Sequence, residues 1–255
     1  GAVATVWLER PEVHNAFNAD LIRQLKDCFV ALNQRDDVRV VVLAGRGKSF
    51  SAGADLNWMK ASGAASEAEN QADAQQLADM LYALATLKQP TIARVQGAAM
   101  GGGMGLAATC DICIAGEKAI FATSEVRLGL APSTISPYVI RAIGERQAQR
   151  YFLTAERISA AKAAEIGLAH EVVGMEALDA KVEEIVAALL LGGPVAQQAS
   201  KQLIALVAKR DNSAELRTQT AAHIASVRAG QEAKEGLNAF LEKRAAAWCN
   251  SAKPT

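Results

Sequence analysis

The sequence contains the same local pattern twice, and this repeat is its strongest constraint on the fold. Each copy places a short apolar strand before a glycine-containing turn that leads into a helix, from Val38 to Asp55 and again from Thr91 to Leu106. The β-branched run at 38–43 is the type found in strands that are buried on both faces. The repeat therefore predicts an α/β fold in which both turns lie at the ends of buried strands.

Further strands and helices flank the two repeats. The patterning predicts strands at 3–9, 111–115, 119–122 and 168–173, and helices that begin near Asn18, Ser133 and Ser159. The small, polar segment from Ala61 to Asn70 predicts a mobile surface loop before a long helix that ends near Lys88. Loops of this kind often cover a ligand.

The chain changes character towards its C-terminus. From Met175 onward the pattern is entirely helical, and Pro194 stands at a plausible helix start. We place a boundary near Gly192, which divides the chain into an α/β core, residues 1–191, and a helical region, residues 192–255. The helical region has enough apolar surface to need a partner, either the core or a neighbouring subunit.

Composition excludes several classes of function. Lysine plus arginine equals aspartate plus glutamate at 27 each, so no excess positive charge is present to hold a nucleic acid. No apolar run approaches the roughly 20 residues that span a bilayer, and no leader peptide is evident. We expect a cytoplasmic protein without nucleic-acid or membrane partners, although a short segment before Gly1 could have been removed.

Three stretches resemble familiar ligand-binding motifs but lack residues that those motifs require. Gly47-Lys48-Ser49 is no phosphate loop, because that motif needs glycine five positions before Gly47 and the residue there is Val42. The glycine run from Gly101 lacks the last glycine of a dinucleotide fingerprint, since that position holds Leu106. The third is Cys110-x-x-Cys113, which has no second pair at zinc-site spacing and lies where a helix runs into a buried strand. We expect neither metal nor cofactor.

The two glycine turns share a chemical capability. Each ends a buried strand, lacks side chains that would block a ligand, and leads into a helix whose first N–H groups are free. Two such N–H groups aimed at one carbonyl oxygen form an oxyanion hole, in which each donor contributes about 3 kcal/mol to transition-state stabilisation. Tight packing of helix on sheet also uses glycine, and it is the alternative explanation for each turn taken alone.

Three sequence motifs surround these turns in a distinctive order. They are Ser49-Phe50-Ser51-Ala52-Gly53-Ala54-Asp55-Leu56, Val95-Gln96-Gly97-Ala98-Ala99-Met100-Gly101-Gly102-Gly103 and Ser124-Glu125-Val126-Arg127-Leu128-Gly129-Leu130. Together they resemble the enoyl-CoA hydratase/isomerase (crotonase) family. The resemblance extends from Arg10-Pro11 to the segment 240–244, and so covers almost the whole chain.

The resemblance implies a fold, an assembly and a ligand. The fold would be a spiral of β-β-α repeats, with a C-terminal helical region that builds a homotrimer or a hexamer of two trimers. The ligand would be an acyl-CoA ester, with coenzyme A as part of the substrate, and its thioester oxygen would meet the N–H groups of Ala54 and Gly102. The implied substrate-binding and CoA-binding positions are Val13, His14, Ala16, Ala52, Asp55, Leu56, Gly101, Pro132 and Ser133.

The resemblance also assigns one catalytic carboxylate and removes another. Glu125 matches one of the two glutamates of the family's hydratases, and a partly desolvated carboxylate there would have a pKa raised towards the working pH. The second glutamate would stand two residues after the glycine run, where this chain has Gly105. Glycine cannot bind or deprotonate water. The chain would therefore perform chemistry that needs a single base, or add water with Glu125 in both proton transfers, or take a second group from elsewhere.

Two activities and one non-catalytic role remain open. A single carboxylate suffices for an enoyl-CoA isomerase, which moves one proton between Cα and Cγ. Residues 128–144 instead resemble the branch of 3-methylglutaconyl-CoA hydratases of leucine breakdown, whose substrate carries its own carboxylate that Ser133, Thr134 or Ser136 could bind. The first hypothesis is therefore hydration of an enoyl-CoA, the second is isomerisation, and the third is CoA-ester binding without catalysis.

Overall fold

The computed structural model describes residues 1–250 and has eight short strands. In chain order they are β1 (Val3–Leu8), β2 (Val40–Gly45), β3 (Thr91–Val95), β4 (Ala98–Met100), β5 (Ile112–Gly116), β6 (Ile120–Ala122), β7 (Ile158–Ser159) and β8 (Glu171–Val173). The end of the predicted helical region, 251–255, lies outside the described residues.

Helices connect and cover these strands. They are α1 (Ala19–Asn33), α2 (Leu56–Ala64), α3 (Glu67–Ala85), α4 (Gly102–Thr109), α5 (Ser136–Thr154), α6 (Ala160–Glu165), α7 (Leu178–Leu191), α8 (Pro194–Val207), α9 (Ala214–Ala229), α10 (Gln231–Leu241) and α11 (Ala247–Asn250). Helix α1 begins where predicted, because the Asn18 side chain accepts a hydrogen bond from the N–H of Leu21.

The strands form two sheets. The larger sheet has the order β1-β2-β3-β5-β8 and is parallel throughout, and the smaller sheet has the order β4-β6-β7. All six residues of β2 are buried, as expected for a parallel strand covered on both faces. Because β3 continues almost directly into β4, the chain passes from one sheet to the other at the Gly97 turn, where φ is +59°.

Two apolar clusters fill the space around the larger sheet. The main cluster joins α1, α3, α4 and α5 and contains Phe17 and Phe29, which are 1% and 0% exposed. A second cluster lies where α7 packs on the other face of the sheet, against strand residues such as Val40 and Ile92. The glycine turns lie at the end of β2 and after β4, so both are held by buried structure.

The structure contradicts one local prediction and adds two strands. The segment from Ala61 to Asn70 is not a loop: α2 continues to Ala64, and Ser66 with Glu69 forms a capping box that starts α3. The residues of a helix cap are small and polar like those of a loop, and the loop interpretation overlooked this. Strands β4 and β7 were not predicted, because runs of three and two residues are too short for a recognisable alternation.

The C-terminal region is helical, as predicted, and it is tied to the sheet by polar contacts. The Lys201 ammonium lies 2.7 Å from Asp111 and donates to the backbone oxygen of Gln89, and Arg39 donates to the backbone oxygen of Gly192. The division at 191/192 stays a prediction. Within residues 1–250, no helix combines the length and apolar composition needed to cross a membrane.

Candidate active site

The first glycine turn is held against the segment that precedes α1. Phe17 pairs with Ala54 in a parallel bridge, in which Phe17 N–H donates to the oxygen of Gly53 at 2.6 Å and Asp55 N–H donates to the oxygen of Phe17 at 2.8 Å. Peptide groups alternate in direction along an extended chain, so the N–H of Ala54 faces away from Phe17. No described residue accepts a hydrogen bond from it.

The second turn presents a free N–H group in a similar way. Gly101 has φ +48° and ψ −117°, a conformation that favours glycine, and its N–H donates to the oxygen of Ala122. Gly102 is the first residue of α4, where backbone N–H groups lack partners within the helix. Among residues 1–250, none accepts a hydrogen bond from the Gly102 N–H.

Backbone hydrogen bonds join the two turns directly. Ser51 pairs with Ala99: its N–H donates to Ala98 and its oxygen accepts from Met100, both at 2.9 Å. The packing is close, because a Cβ atom built on Gly53 would lie 2.9 Å from the backbone oxygen of Met100. The two turns therefore form one unit.

Both donor residues reach the surface of this unit. Ala54 is partly exposed between buried Gly53 and Asp55, and Gly102 is partly exposed between two buried glycines. Two unpaired N–H groups that reach the surface of one rigid unit attract a partly negative oxygen. The arrangement agrees with the predicted oxyanion hole, and that role of Ala54 and Gly102 stays a prediction.

Glu125 places a carboxyl group beside the second turn. It begins a short 3-10 helix, Glu125–Leu128, and a Cβ atom on Gly101 would lie 3.1 Å from its Oε1 atom. Its Oε2 atom is buried and accepts no hydrogen bond within the described part of the chain. Burial without a partner raises the pKa of this carboxyl group above its ordinary value. A carboxyl group of this kind is suited to accepting and returning a proton.

The position of the absent second carboxylate is filled by an apolar side chain. Gly105 lies inside α4 and is fully buried. A Cβ atom built on Gly105 would lie 2.2 Å from Cγ2 and 2.8 Å from Cβ of Ile135, which is itself 2% exposed. No space is therefore present for a longer side chain at position 105.

The predicted CoA-binding residues of the N-terminal motif lie along the first turn. His14 and Ala52 are exposed neighbours, since Ala52 N–H donates to the oxygen of His14 at 2.9 Å. Val13 is 36% exposed and Leu56 is 78% exposed, whereas Ala16 is 5% exposed and offers only its backbone. These positions form one accessible edge, and their role in CoA binding stays a prediction.

Asp55 is a structural residue at this edge. Its Oδ1 atom accepts from the N–H of Asn57 and caps α2, and its Oδ2 atom lies 3.0 Å from a guanidinium nitrogen of Arg10. The Arg10 contact, together with the cap, lowers the pKa of Asp55. The same guanidinium donates to the backbone oxygen of Ala16. An ion pair thus fixes the end of the first turn.

Pro132 and Ser133 follow Glu125 in the loop that leads to α5. Pro132 is buried, and Ser133 is exposed with its hydroxyl directed to the oxygen of Ala131 at 3.4 Å. Ser136 donates in turn to the oxygen of Ser133. These hydroxyl groups make local backbone contacts, the alternative to substrate binding, and the predicted substrate role stays untested.

Sequence reasoning missed four residues that shape the site. Arg10 marks only the start of the resemblance and Asn15 was given no role. Asn15 is fully buried, accepts from the N–H of Arg10 and donates to the oxygens of Arg46 and Ser49. Phe17 and Ile135 gave no signal, because an apolar residue in a sequence does not reveal which glycine it will contact.

The two central cysteines are unsuited to metal or redox chemistry. Cys110 and Cys113 are both buried free thiols, and burial raises the pKa of Cys113 to about 12 and that of Cys110 further. Reactive cysteines need the thiolate form, which burial disfavours. Across residues 1–250, no three histidine, cysteine, aspartate or glutamate side chains cluster closely enough to hold a metal ion.

The parallel sheet, the joined glycine turns and the adjacent carboxyl group form the arrangement expected of an enzyme with an oxyanion hole and a single acid–base group. The sequence model of the family described as enoyl-CoA hydratase/isomerase matches residues 1–251. The chain belongs to the enoyl-CoA hydratase/isomerase family, which confirms the resemblance inferred from the three motifs.

Individual relatives agree with this assignment. A crotonyl-CoA hydratase of Syntrophomonas wolfei is 35% identical, over 96% of this chain and 93% of its own. A short-chain-enoyl-CoA hydratase of Clostridium acetobutylicum is 33% identical, over 96% and 93%. The crystal structure of an enoyl-CoA hydratase from Shewanella pealeana superposes with a TM-score of 0.94 at 41% identity and covers 97% of this chain and 93% of that one. The predicted crotonase-type α/β fold is confirmed.

Proposed function

We propose that this protein is an enoyl-CoA hydratase, which adds water across the Cα=Cβ bond of an enoyl thioester. One observation carries the proposal: the free N–H groups of Ala54 and Gly102 belong to one hydrogen-bonded unit, and the carboxyl group of Glu125, whose Oε2 atom is buried, lies beside Gly101 in that unit. The hydratase names of the relatives in Syntrophomonas and Clostridium support the same activity.

The two N–H groups would stabilise the reaction's enolate. When the water oxygen bonds to Cβ, electron density moves through Cα and the thioester carbon onto the carbonyl oxygen. Ala54 and Gly102 would donate hydrogen bonds to that oxygen, and these bonds strengthen as it becomes negative. Because the donors are backbone groups in hydrogen-bonded turns, little reorganisation accompanies the reaction.

Glu125 would carry both proton transfers. As carboxylate it would accept a proton from water while the water oxygen bonds to Cβ, and as carboxylic acid it would return that proton to Cα of the enolate. The sum is one water added and Glu125 unchanged. Its raised pKa suits this cycle, because acid and base forms then lie closer in free energy near neutral pH.

We infer a specialised acyl group from the absence of a second carboxylate. With Gly105 packed against Ile135, no second acid at this position can hold the attacking water. A branched substrate with its own distal carboxylate, as in the 3-methylglutaconyl-CoA branch of leucine breakdown, would supply an acceptor for that water. Ser133 and Thr134 are the nearby hydroxyl groups proposed to bind it.

Isomerisation of a 3-enoyl-CoA is the second candidate. The apolar contact of Ile135 with Gly105 favours it, because moving a proton between Cα and Cγ needs no water and only one carboxyl group. In both candidates CoA would bind along the edge formed by Val13, His14, Ala16, Ala52 and Leu56, with Asp55 holding the turn.

Exposed apolar side chains on the C-terminal helices support a homo-oligomer. Phe240 is 81% exposed and Leu241 76%, on a helix that also exposes Leu237. Side chains of this size are usually covered in the functional assembly. We propose a homotrimer or a hexamer of two trimers, with these helices at the subunit contact.

Substrate consumption distinguishes the candidates. We would follow loss of the enoyl-thioester absorbance with crotonyl-CoA and 3-methylglutaconyl-CoA, and gain of that absorbance with a 3-enoyl-CoA. Hydration that is abolished in Glu125→Gln supports the proposal, whereas turnover of the 3-enoyl-CoA alone refutes it in favour of isomerisation. Binding of the ester without turnover of any of the three would indicate the non-catalytic role.

A further inference from the structure

Phe17 contacts both halves of the candidate oxyanion hole. Its backbone pairs with the first turn through the hydrogen bonds to Gly53 and from Asp55, which enclose Ala54. Its ring packs on the second turn, because a Cβ atom on Gly102 would lie 2.3 Å from Cε2 and 2.6 Å from Cδ2 of that ring. Phe17 is 1% exposed, so the ring is enclosed on all sides.

These contacts place the Phe17 ring where it can limit the distance between the two turns. The Ser51–Ala99 bridge holds the two turns together, and the Phe17 ring is packed against the Cα atom of Gly102 itself. The bridge limits how far the turns can separate, and the ring limits how closely Gly102 can approach the segment paired with Ala54. The residue that carries the ring also fixes the direction of the Ala54 N–H.

We propose that Phe17 is a positioning residue that sets the separation of the Ala54 and Gly102 N–H groups. The inference rests on the proposed function, because it assigns a purpose to the spacing of the two donors. Phe17 does not touch the reacting atoms; it acts through the backbone of both turns. An oxyanion site depends on sub-ångström placement, and a displacement of about 1 Å can lower the rate by about 100-fold.

The same core contains a matched control. Phe29 is 0% exposed and lies on α1 in the same apolar cluster, and none of its atoms is among the three nearest to a Cβ built on Gly53, Gly101 or Gly102. Replacing either phenylalanine with leucine removes a similar apolar volume from the core. Phe17→Leu and Phe29→Leu should therefore lower stability to similar extents, and only the first should alter the donor spacing.

Two measurements test the inference on the folded protein. The first measurement determines kcat and KM for hydration separately. Loss of an interaction made mainly in the transition state lowers kcat and leaves KM nearly unchanged. We expect Phe17→Leu to lower kcat by about 10-fold to 100-fold, and Phe29→Leu to retain wild-type kcat. Phe17→Met, which is nearly volume-conserving, provides a second variant if the leucine variant does not fold.

The second measurement reports directly on the donors. Isotope-edited infrared spectra of an acyl-CoA labelled with ¹³C at the thioester carbon give the carbonyl stretching frequency of the bound ester. In the wild-type protein two hydrogen bonds should lower this frequency relative to the ester in water. The downshift should be smaller in Phe17→Leu and unchanged in Phe29→Leu, because only the first variant moves a donor.

Each outcome has a distinct meaning. Equal kcat and equal downshift in the two leucine variants would overturn the role of Phe17 and leave the proposed function standing. A wild-type downshift that Phe17→Leu weakens, without hydration of any enoyl-CoA tested, would support the spacing role and refute the hydratase. Absence of a downshift in the wild-type protein would refute the oxyanion hole and the inference together.

Discussion

Replacing Gly105 tests the most specific packing contact of the site. A Cβ atom at this position would lie 2.2 Å from Cγ2 and 2.8 Å from Cβ of Ile135, whereas carbon atoms pack best at about 3.5–4.0 Å. Ile135 is 2% exposed, so its side chain has little room to withdraw. Overpacking of this kind costs about 1–3 kcal/mol, and the better helix propensity of alanine offsets about 1 kcal/mol of it. We expect Gly105→Ala to destabilise the protein by up to about 2 kcal/mol.

The contact predicts how this cost changes when Ile135 is shortened. Valine at 135 keeps both γ-carbons and should retain the cost, and alanine leaves only the 2.8 Å contact and should retain part of it. Glycine at 135 leaves Cα at 3.8 Å, an ordinary contact, and glycine is accepted at this helix N-cap. In that background Gly105→Ala should stabilise by about 1 kcal/mol, the helix propensity difference.

Urea unfolding followed by far-UV circular dichroism gives the free energy of unfolding with and without Gly105→Ala in each position-135 background. All variants are compared at one protein concentration, because oligomerisation also contributes to stability. The sign of the effect of Gly105→Ala must reverse between the wild-type and Ile135→Gly backgrounds. An effect of equal size in every background would refute the contact.

The same contact has a consequence for catalysis. Gly105→Glu alone should lower the rate of crotonyl-CoA hydration, and a higher hydration rate should require Ile135→Gly in the same variant.

Four further predictions concern catalysis, charge and assembly. Glu125→Gln should lower kcat for hydration by about 100-fold to 10,000-fold, the usual contribution of a general acid–base group. Burial raises the pKa of Glu125, so ionisation of this carboxyl group opposes folding as the pH rises through the raised pKa and has no effect below the ordinary value of 4.5. Glu125→Gln should therefore stabilise the protein at neutral pH and not below pH 4.5, as measured by urea titration. Arg10 lowers the pKa of Asp55, which stabilises the fold above the ordinary value of 3.8, and this stability is lost as the pH falls through the lowered pKa. Arg10→Gln should therefore weaken the protein more at neutral pH than below the lowered pKa, where only the loss of the hydrogen bond to the Ala16 oxygen remains. Phe240→Glu should reduce the oligomer to smaller species in sedimentation velocity, because Phe240 is 81% exposed on a helix proposed to form the subunit contact.

Each of these variants has a control elsewhere on the surface. Glu117→Gln changes an exposed glutamate and should leave kcat and the pH dependence of stability unaltered. Arg23→Gln breaks an exposed ion pair with Asp20, so an effect as large as that of Arg10→Gln would contradict the role given to the Asp55 contact. Asn238→Glu adds the same charge to the helix of Phe240, and dissociation in both variants would point to charge rather than to lost apolar contact.

Much of the fold was predictable because its signals are local. The cap at Asn18, the helix start at Pro194 and the buried run that became β2 are each visible within a few residues. The segment 61–70 was wrongly predicted as a loop, because a capping box and a loop share small, polar residues and only the hydrogen bonds of Ser66 distinguish them. The catalytic candidates were named from motif order, and the structure brings Gly101 and Glu125 within contact distance.

The alternation of strands and helices, the two glycine turns and the absence of a carboxylate at Gly105 follow from residue type and order along the chain. What surrounds those glycines depends on packing in the folded protein. Phe17 lies 85 positions before Gly102 in the chain and Ile135 lies 30 after Gly105, yet each fills the space that a side chain on that glycine would need. Such contacts follow from how sheets and helices stack, because apolar side chains carry no directional signal that names their partner.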